Sequence, residues 1–268
     1  MRVLKAIISG NHNPKELAQL CEKSILKKKK DLVVSSLYGN FREEYIFALK
    51  QAIDAYEFYQ QKIFECDKKI EKLLELLTDD LPTPPDIKPP KPIRHNVPQV
   101  DNLHEKLIKL TSGKDPSQIT GLTDKTLMEL IGEVGTDFSF WKTEKHFTSW
   151  LCLAPGKHQS GKSNKKRIKK GHTKAGQIFR NAAYSIANSK NSALTAFYHR
   201  IKAKKGPMVA NKATARKIAV LYYNIMTKGI DYVENGIFAY QQKVKEQQLN
   251  KLQKQARYHG LSLVPMLS

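Results

Sequence analysis

The residues best suited to chemistry lie in FRNAAYSIANSK, residues 179–190, which carries Arg180, Ser185, Ser189 and Lys190. A serine hydroxyl beside Arg and Lys can attack a phosphodiester, because the cations stabilise the charge that builds on phosphorus. On a helix Ser189 follows Ser185 by one turn on the same face. Serines near a helix end are also common as plain capping or solvent-facing residues, so residue type alone assigns neither hydroxyl a role. Upstream, GKHQSGKSNKKRIKKGHTKAG places Lys157, Lys162, Lys165, Lys166, Arg167, Lys169 and Lys170 in a loop rich in small and hydroxyl residues. Small residues let backbone approach an anion that the lysines attract, although a solvated loop would have the same composition. Lys204, Lys205, Lys212 and Arg216 continue the basic series downstream.

The placement of charge sharpens this reading. The chain has 268 residues with 46 Lys+Arg, 25 Asp+Glu and a formal net charge of +21. Residues 1–144 hold 22 basic and 22 acidic side chains, whereas residues 145–230 hold 19 basic ones and no Asp or Glu. The last segment, 231–268, adds five basic and three acidic residues. A solvated face normally mixes both signs. A long acid-free stretch suits a polyanion, and nucleic acid is the expected partner, ahead of acidic protein or anionic lipid.

Other chemistries lack their residues. A metal-dependent nuclease needs convergent carboxylates, and the basic segment has none. His146, His158, His172 and His199 are scattered and form no HExxH or Cys/His ligand pattern. No Walker-type phosphate loop or GxGxxG follows a strand pattern. Cys21, Cys66 and Cys152 are odd in number and far apart, which argues against a disulfide framework and makes a cytoplasmic location the default expectation. No apolar run approaches the ~18–20 residues needed to span a bilayer, so no membrane partner is expected.

The elements that must position these groups read as all-α. Residues 14–37 form a helical region broken by Gly39-Asn40, with Asn40 and Glu43 as a candidate capping box for the next helix. Tyr45, Leu49, Ala52, Tyr56, Tyr59, Ile63, Cys66, Ile70, Leu73 and Leu77 then alternate spacings of four and three. That 3.5-residue repeat over more than four heptads predicts a coiled coil, with a long core helix as the alternative. Seven of the twelve prolines fall between Pro82 and Pro98, predicting a stiff linker over 82–100 and a domain boundary. The expected organisation is an oligomerisation region at 1–81, that linker, a compact helical DNA-binding domain at 101–230 and a helical tail at 231–268. Within 101–230, a helix at 103–110 and another from Thr123 or Asp124 to Val134 flank Ile119-Thr120-Gly121-Leu122. This resembles a helix-hairpin-helix, whose turn amides contact phosphate, but a plain helical hairpin reads the same residues equally well. Thr143 is a cap candidate, and helices are expected at 173–189, 192–204 and 207–228.

From about position 6 onward the sequence resembles the C-terminal part of bridge-RNA-guided insertion-sequence transposases. This family pairs a DEDD nuclease-like domain with a catalytic serine. The carrying segments, in order, are AYEFYQQKIFECDKKIE, ITGLTDKTLMELIGEVGTDFSFWKTEKHFTSWLCLAPGKHQSGK, FRNAAYSIANSKNSALTAFYHRIKAKKGP and ATARKIAVLYYNIM. The resemblance implies a DNA recombinase that works as a homo-oligomer through the coiled coil, with DNA and a guide RNA as partners. It further implies a serine that forms a covalent phosphoserine intermediate. Ser189 is the better match for that serine and Ser185 the competitor, while Arg180, Lys190, Lys162, Lys165 and Lys166 would hold phosphates. The family's acidic RNase-H-like domain has no counterpart here, so Mg²⁺ is expected only with that domain, no cofactor is expected in this chain, and truncation with incomplete catalysis is the expectation. A non-enzymatic nucleic-acid-binding protein and a coiled-coil inhibitor of a full-length transposase are the alternatives.

Overall fold

The computed structural model describes residues 1–85, 87–93, 95–155, 172–189, 193–230, 246, 249–250 and 252–262, with backbone alone at 159–160 and 163–164. The architecture is all-helical. In chain order run α1 (Arg2–Ile8), α2 (Pro14–Gln19), α3 (Lys23–Ser36), α4 (Glu43–Thr78), α5 (Leu103–Leu110), a 3-10 turn (Pro116–Gln118), α6 (Asp124–Val134) and α7 (Glu144–Trp150). They are followed by α8 (Lys174–Ile186), α9 (Ala193–Lys205) and α10 (Pro207–Lys228). Among the described residues the β structure is one short antiparallel pair, β1 (Gln159–Ser160) with β2 (Ser163–Asn164). No described helix is long and apolar enough to cross a membrane. The chain divides into two compact units, Met1–Ile70 and Glu71–Ser268.

The first unit buries a small core of Ile7, Leu17, Ala18 and Ile53. Asn13 caps α2, its Oδ1 accepting from the Lys15 amide at 3.1 Å, and Pro14 takes the first helical position, where its missing N–H costs nothing. The run Lys27–Lys30 contains a kink at Lys29, whose φ of −144° departs from the helix. At the head of α4 the Ile46 amide bonds the Arg42 carbonyl at 3.1 Å, so Arg42 occupies the cap position expected for Asn40.

The 36-residue helix α4 carries the heptad seam. Tyr45, Tyr56, Tyr59, Ile63, Leu73 and Leu77 are each 50–65% exposed. The buried positions Ile53 and Leu74 each fall one residue after a seam position, about 100° around the helix. The chain therefore packs a different stripe of α4 and leaves most of the seam exposed, with Leu49 and Ile70 half-buried.

In the second unit the proline-rich stretch is fastened down. Lys91 Nζ donates to the carbonyls of Ser117 and Ile119, the latter at 2.8 Å. His104 bridges two partners, with Nδ1 2.8 Å from Asp124 Oδ1 and Nε2 2.8 Å from the Lys88 carbonyl. The Asp101 amide donates to Glu71 Oε1 at 2.6 Å. Asp115 caps the 3-10 turn by accepting from the Ser117 amide at 2.9 Å. The remainder of the core gathers on α10, which packs against α7, α8 and α9. Phe147, Phe179 and Tyr222 are fully buried there, with ring centroids 5.6–6.3 Å apart. Such tilted and offset pairs add to the area they bury.

Burial pushes the Lys91 ammonium below its ordinary value, and Asp115 and Asp124 pull in the opposite direction. With its folded value the lower one, the folded state binds fewer protons than the unfolded state as pH approaches the ordinary lysine value, so stability rises through that window. Lys91→Met removes both hydrogen bonds and should lower unfolding free energy by about 1–2 kcal/mol at neutral pH. In urea titrations the deficit of the variant should widen at higher pH; a deficit that shrinks would contradict the buried ammonium.

Candidate nucleic-acid interface

The site is built around α8, and close backbone approach fixes where α8 sits. Thr173 caps it, its Oγ1 accepting from the Gly176 amide at 3.0 Å. A Cβ on Gly176 would lie 2.3 Å from the Leu151 carbonyl oxygen, so only glycine lets the first turn of α8 meet the end of α7. At the other end, Gly121 has a φ of +92°, and a Cβ there would stand 2.9 Å from both the Ala182 carbonyl oxygen and Ile186 Cδ1. Ile119 and Leu122 beside it are buried. The amide of Leu122 bonds the Ile119 carbonyl at 3.0 Å, and that of Thr123 bonds Thr126 Oγ1 at 2.7 Å. These contacts give the Ile-Thr-Gly-Leu turn a packing role against α8.

With one face of α8 buried through Ala175, Gly176, Phe179, Ala182, Ala183 and Ile186, the other presents Lys174, Gln177, Asn181, Tyr184 and Ser185 to solvent. Arg180 lies between, half-buried, with Nε donating to Gln177 Oε1 at 3.1 Å and Nη2 3.2 Å from His172 Nδ1. Gln177 Nε2 in turn donates to Asn181 Oδ1 at 2.9 Å, and Asn211 of α10 donates to the Arg180 carbonyl at 3.1 Å.

The two serines differ. Ser185 is exposed, and its hydroxyl donates to the Ala182 carbonyl at 2.8 Å, leaving its oxygen lone pairs outward. Ser189 is half-buried and stands beyond the end of α8, its amide bonded to the Ile186 carbonyl at 3.0 Å. Arg180 and Ser185 are separated by about 140° around the helix and roughly 7 Å along it. Nine residues further, Ser189 would fall on the opposite side from Arg180 even if the helix continued. The structure therefore pairs Arg180 with Gln177 and His172, not with either hydroxyl.

Lys204 and Lys205 are exposed in the last turn of α9, while Lys212 and Arg216 are half-buried one turn apart on α10. Arg216 Nε is buried without a hydrogen-bond partner among the described residues. Lys157, Lys162, Lys165, Lys166, Arg167, Lys169, Lys170 and Lys190 lie outside the described residues. Within the same basic stretch, the β1–β2 register sets Ser160 across from Ser163. Burial pushes the Tyr222 hydroxyl well above its usual value, which keeps it neutral beneath this surface. Among the described residues no group of three or more His, Cys, Asp or Glu is placed to hold a metal ion. Gln177, Asn181 and Asn211 are absent from the candidates read in the sequence; the spacings of three and four that link Gln177 to Arg180 and Asn181 were the one available signal.

A family model described as Transposase IS116/IS110/IS902 family matches residues 117–199, a span that runs from the 3-10 turn through α8 into α9. The match supports an insertion-sequence transposase and a role in transposition. No curated protein matches the chain.

Within that span, Gly121→Ala should destabilise the protein by about 1–3 kcal/mol, because the new methyl meets a carbonyl and Ile186 while the backbone stays left-handed. Chemical denaturation measures it. A variant as stable as the wild type would show that the turn does not lie against α8.

Proposed function

We propose that this chain is the DNA-gripping portion of an insertion-sequence transposase, acting as a homo-oligomer on DNA and a guide RNA. The carrying observation is the coincidence of the family match at 117–199 with the acid-free segment 145–230. Phosphate neutralisation by Arg180, Lys204, Lys205, Lys212 and Arg216, together with the basic stretch 157–170, supplies affinity without reading sequence. Ser189 is the proposed nucleophile. Its Oγ would form a bond to phosphorus as the bond to the deoxyribose oxygen breaks, the hydroxyl proton passing to solvent and the leaving oxygen taking one up. The family's acidic domain would supply Mg²⁺ for this step.

The seam of α4 is the proposed contact with a second copy, because a strip of exposed aromatic and aliphatic side chains at heptad spacing gains most from a matching strip. A reading as a nucleic-acid binder without chemistry shares the basic surface but forms no covalent intermediate.

Binding to duplex DNA and to structured RNA should weaken steeply with salt, and neutralising Lys204 and Lys205 together should flatten the slope of log K against log salt by about 1.8 units on duplex DNA. With element-end DNA, Mg²⁺ and the family's acidic domain supplied in trans, a covalent protein–DNA adduct should form and disappear in Ser189→Ala. An adduct that survives Ser189→Ala and is lost in Ser185→Ala, or in a Ser160→Ala/Ser163→Ala double variant, would move the nucleophile. Absence of any adduct favours the binder.

Sedimentation of the wild type should show a species larger than one chain, and Leu49→Glu with Ile63→Glu should reduce it to the monomer. A wild type that sediments as a monomer at all concentrations removes the coiled-coil assignment.

A further inference from the structure

We infer that Gln177 and His172 are positioning residues that pre-orient Arg180 toward a backbone phosphate of nucleic acid, an inference that rests on the nucleic-acid reading above. An arginine is commonly oriented by a carboxylate, which also cancels much of its charge. Here the orienting groups are neutral. Arg180 Nε donates to the Gln177 amide oxygen at 3.1 Å, and its Nη2 lies 3.2 Å from His172 Nδ1. A guanidinium has donors only, so His172 Nδ1 is the acceptor and the ring carries its proton on Nε2. No acidic residue exists between 145 and 230, and none of the described ion pairs involves Arg180. The guanidinium is thus held in place while its full charge remains available.

The holders are themselves held. Gln177 cannot turn its amide freely, because its nitrogen donates to Asn181 Oδ1 at 2.9 Å, which fixes the oxygen toward Arg180. Asn211 ties the Arg180 backbone to α10 at 3.1 Å. Two of the five guanidinium N–H groups are engaged, and the remaining ones suit two parallel bonds to phosphate oxygens. Fixing the side chain beforehand reduces the rotamer entropy lost when the anion arrives. In sequence, His172 follows the basic run Lys165–Lys170 by two residues.

The test is anisotropy of a labelled duplex DNA across a potassium chloride series with the full chain, alongside circular dichroism to confirm helicity. Arg180→Ala should lower the salt slope by about 0.9, the share of one phosphate contact. Gln177→Ala and His172→Ala should each weaken binding about 3–10-fold with the slope unchanged, and Gln177→Ala added to Arg180→Ala should cost nothing further. Gln177→Glu should bind more weakly than Gln177→Ala, since a carboxylate orients the guanidinium but cancels its charge. Wild-type affinity in Gln177→Ala, or a full additive loss in the double variant, overturns the positioning role alone. A wild type that binds no DNA at any salt overturns the nucleic-acid reading and this inference with it.

Discussion

The surface of the second unit depends on the seating of α8 between two places where backbone meets backbone with no room for a side chain. At Gly176 the first turn of α8 touches the Leu151 carbonyl, and at Gly121 the turn before α6 touches the last turn of α8. These contacts set both the rotation of α8 and its height. The rotation sends Phe179, Ala182, Ala183 and Ile186 into the aromatic core with Phe147 and Tyr222, and turns Gln177, Asn181, Tyr184 and Ser185 outward. A small change in either glycine contact would turn the polar face away from the anion it is read to meet. The polar network around Arg180 is therefore a consequence of two van der Waals constraints some distance from it.

A second constraint acts on the proline-rich stretch. Prolines remove amide donors, so such a segment makes few backbone hydrogen bonds of its own and needs side chains to fasten it. Lys91, His104 and Asp124 do so, crossing 16 to 28 residues of chain between partners. This gives the stretch a definite course over α5 and α6 that composition alone does not suggest, since an unfastened polyproline segment would act as a spacer. The same lysine and histidine also brace the turn that presses on α8, through Ile119 and Asp124.

Function follows from what the fold leaves unsatisfied. Most of the α4 seam is exposed in one chain, whereas Ile53 and Leu74 on an adjacent stripe are packed. The basic segment contains no acidic residue of its own, and Arg180 is oriented by neutral partners, so the charge of its guanidinium is not cancelled by them. The proposed oligomer on a polyanion would cover the seam and meet the basic segment at once.

Some of this was legible in the residues alone. Helix periodicity, the Thr143 cap, the span of α10 from Pro207 to Lys228 and the segregation of charge are local properties, set by neighbours within one or two turns or by composition. The seven-residue helix α1 was not legible, because no side-chain cap punctuates it. Nor was the shift of the α4 cap from Asn40 to Arg42, since two plausible starts lie within three residues. Grouping Arg180 with Ser185 and Ser189 followed from nearness in sequence, whereas the end of α8 at Ile186 and the 100° turn per residue send them to different sides. Helical character and the confinement of net charge to one stretch can be read from the residues alone, because each is additive over residues or set within a few turns. The outward face of α8, the fastening of the proline-rich stretch and the neutral partners of Arg180 emerge only in the folded chain. Those depend on contacts between residues far apart in the chain, whose geometry no local pattern encodes.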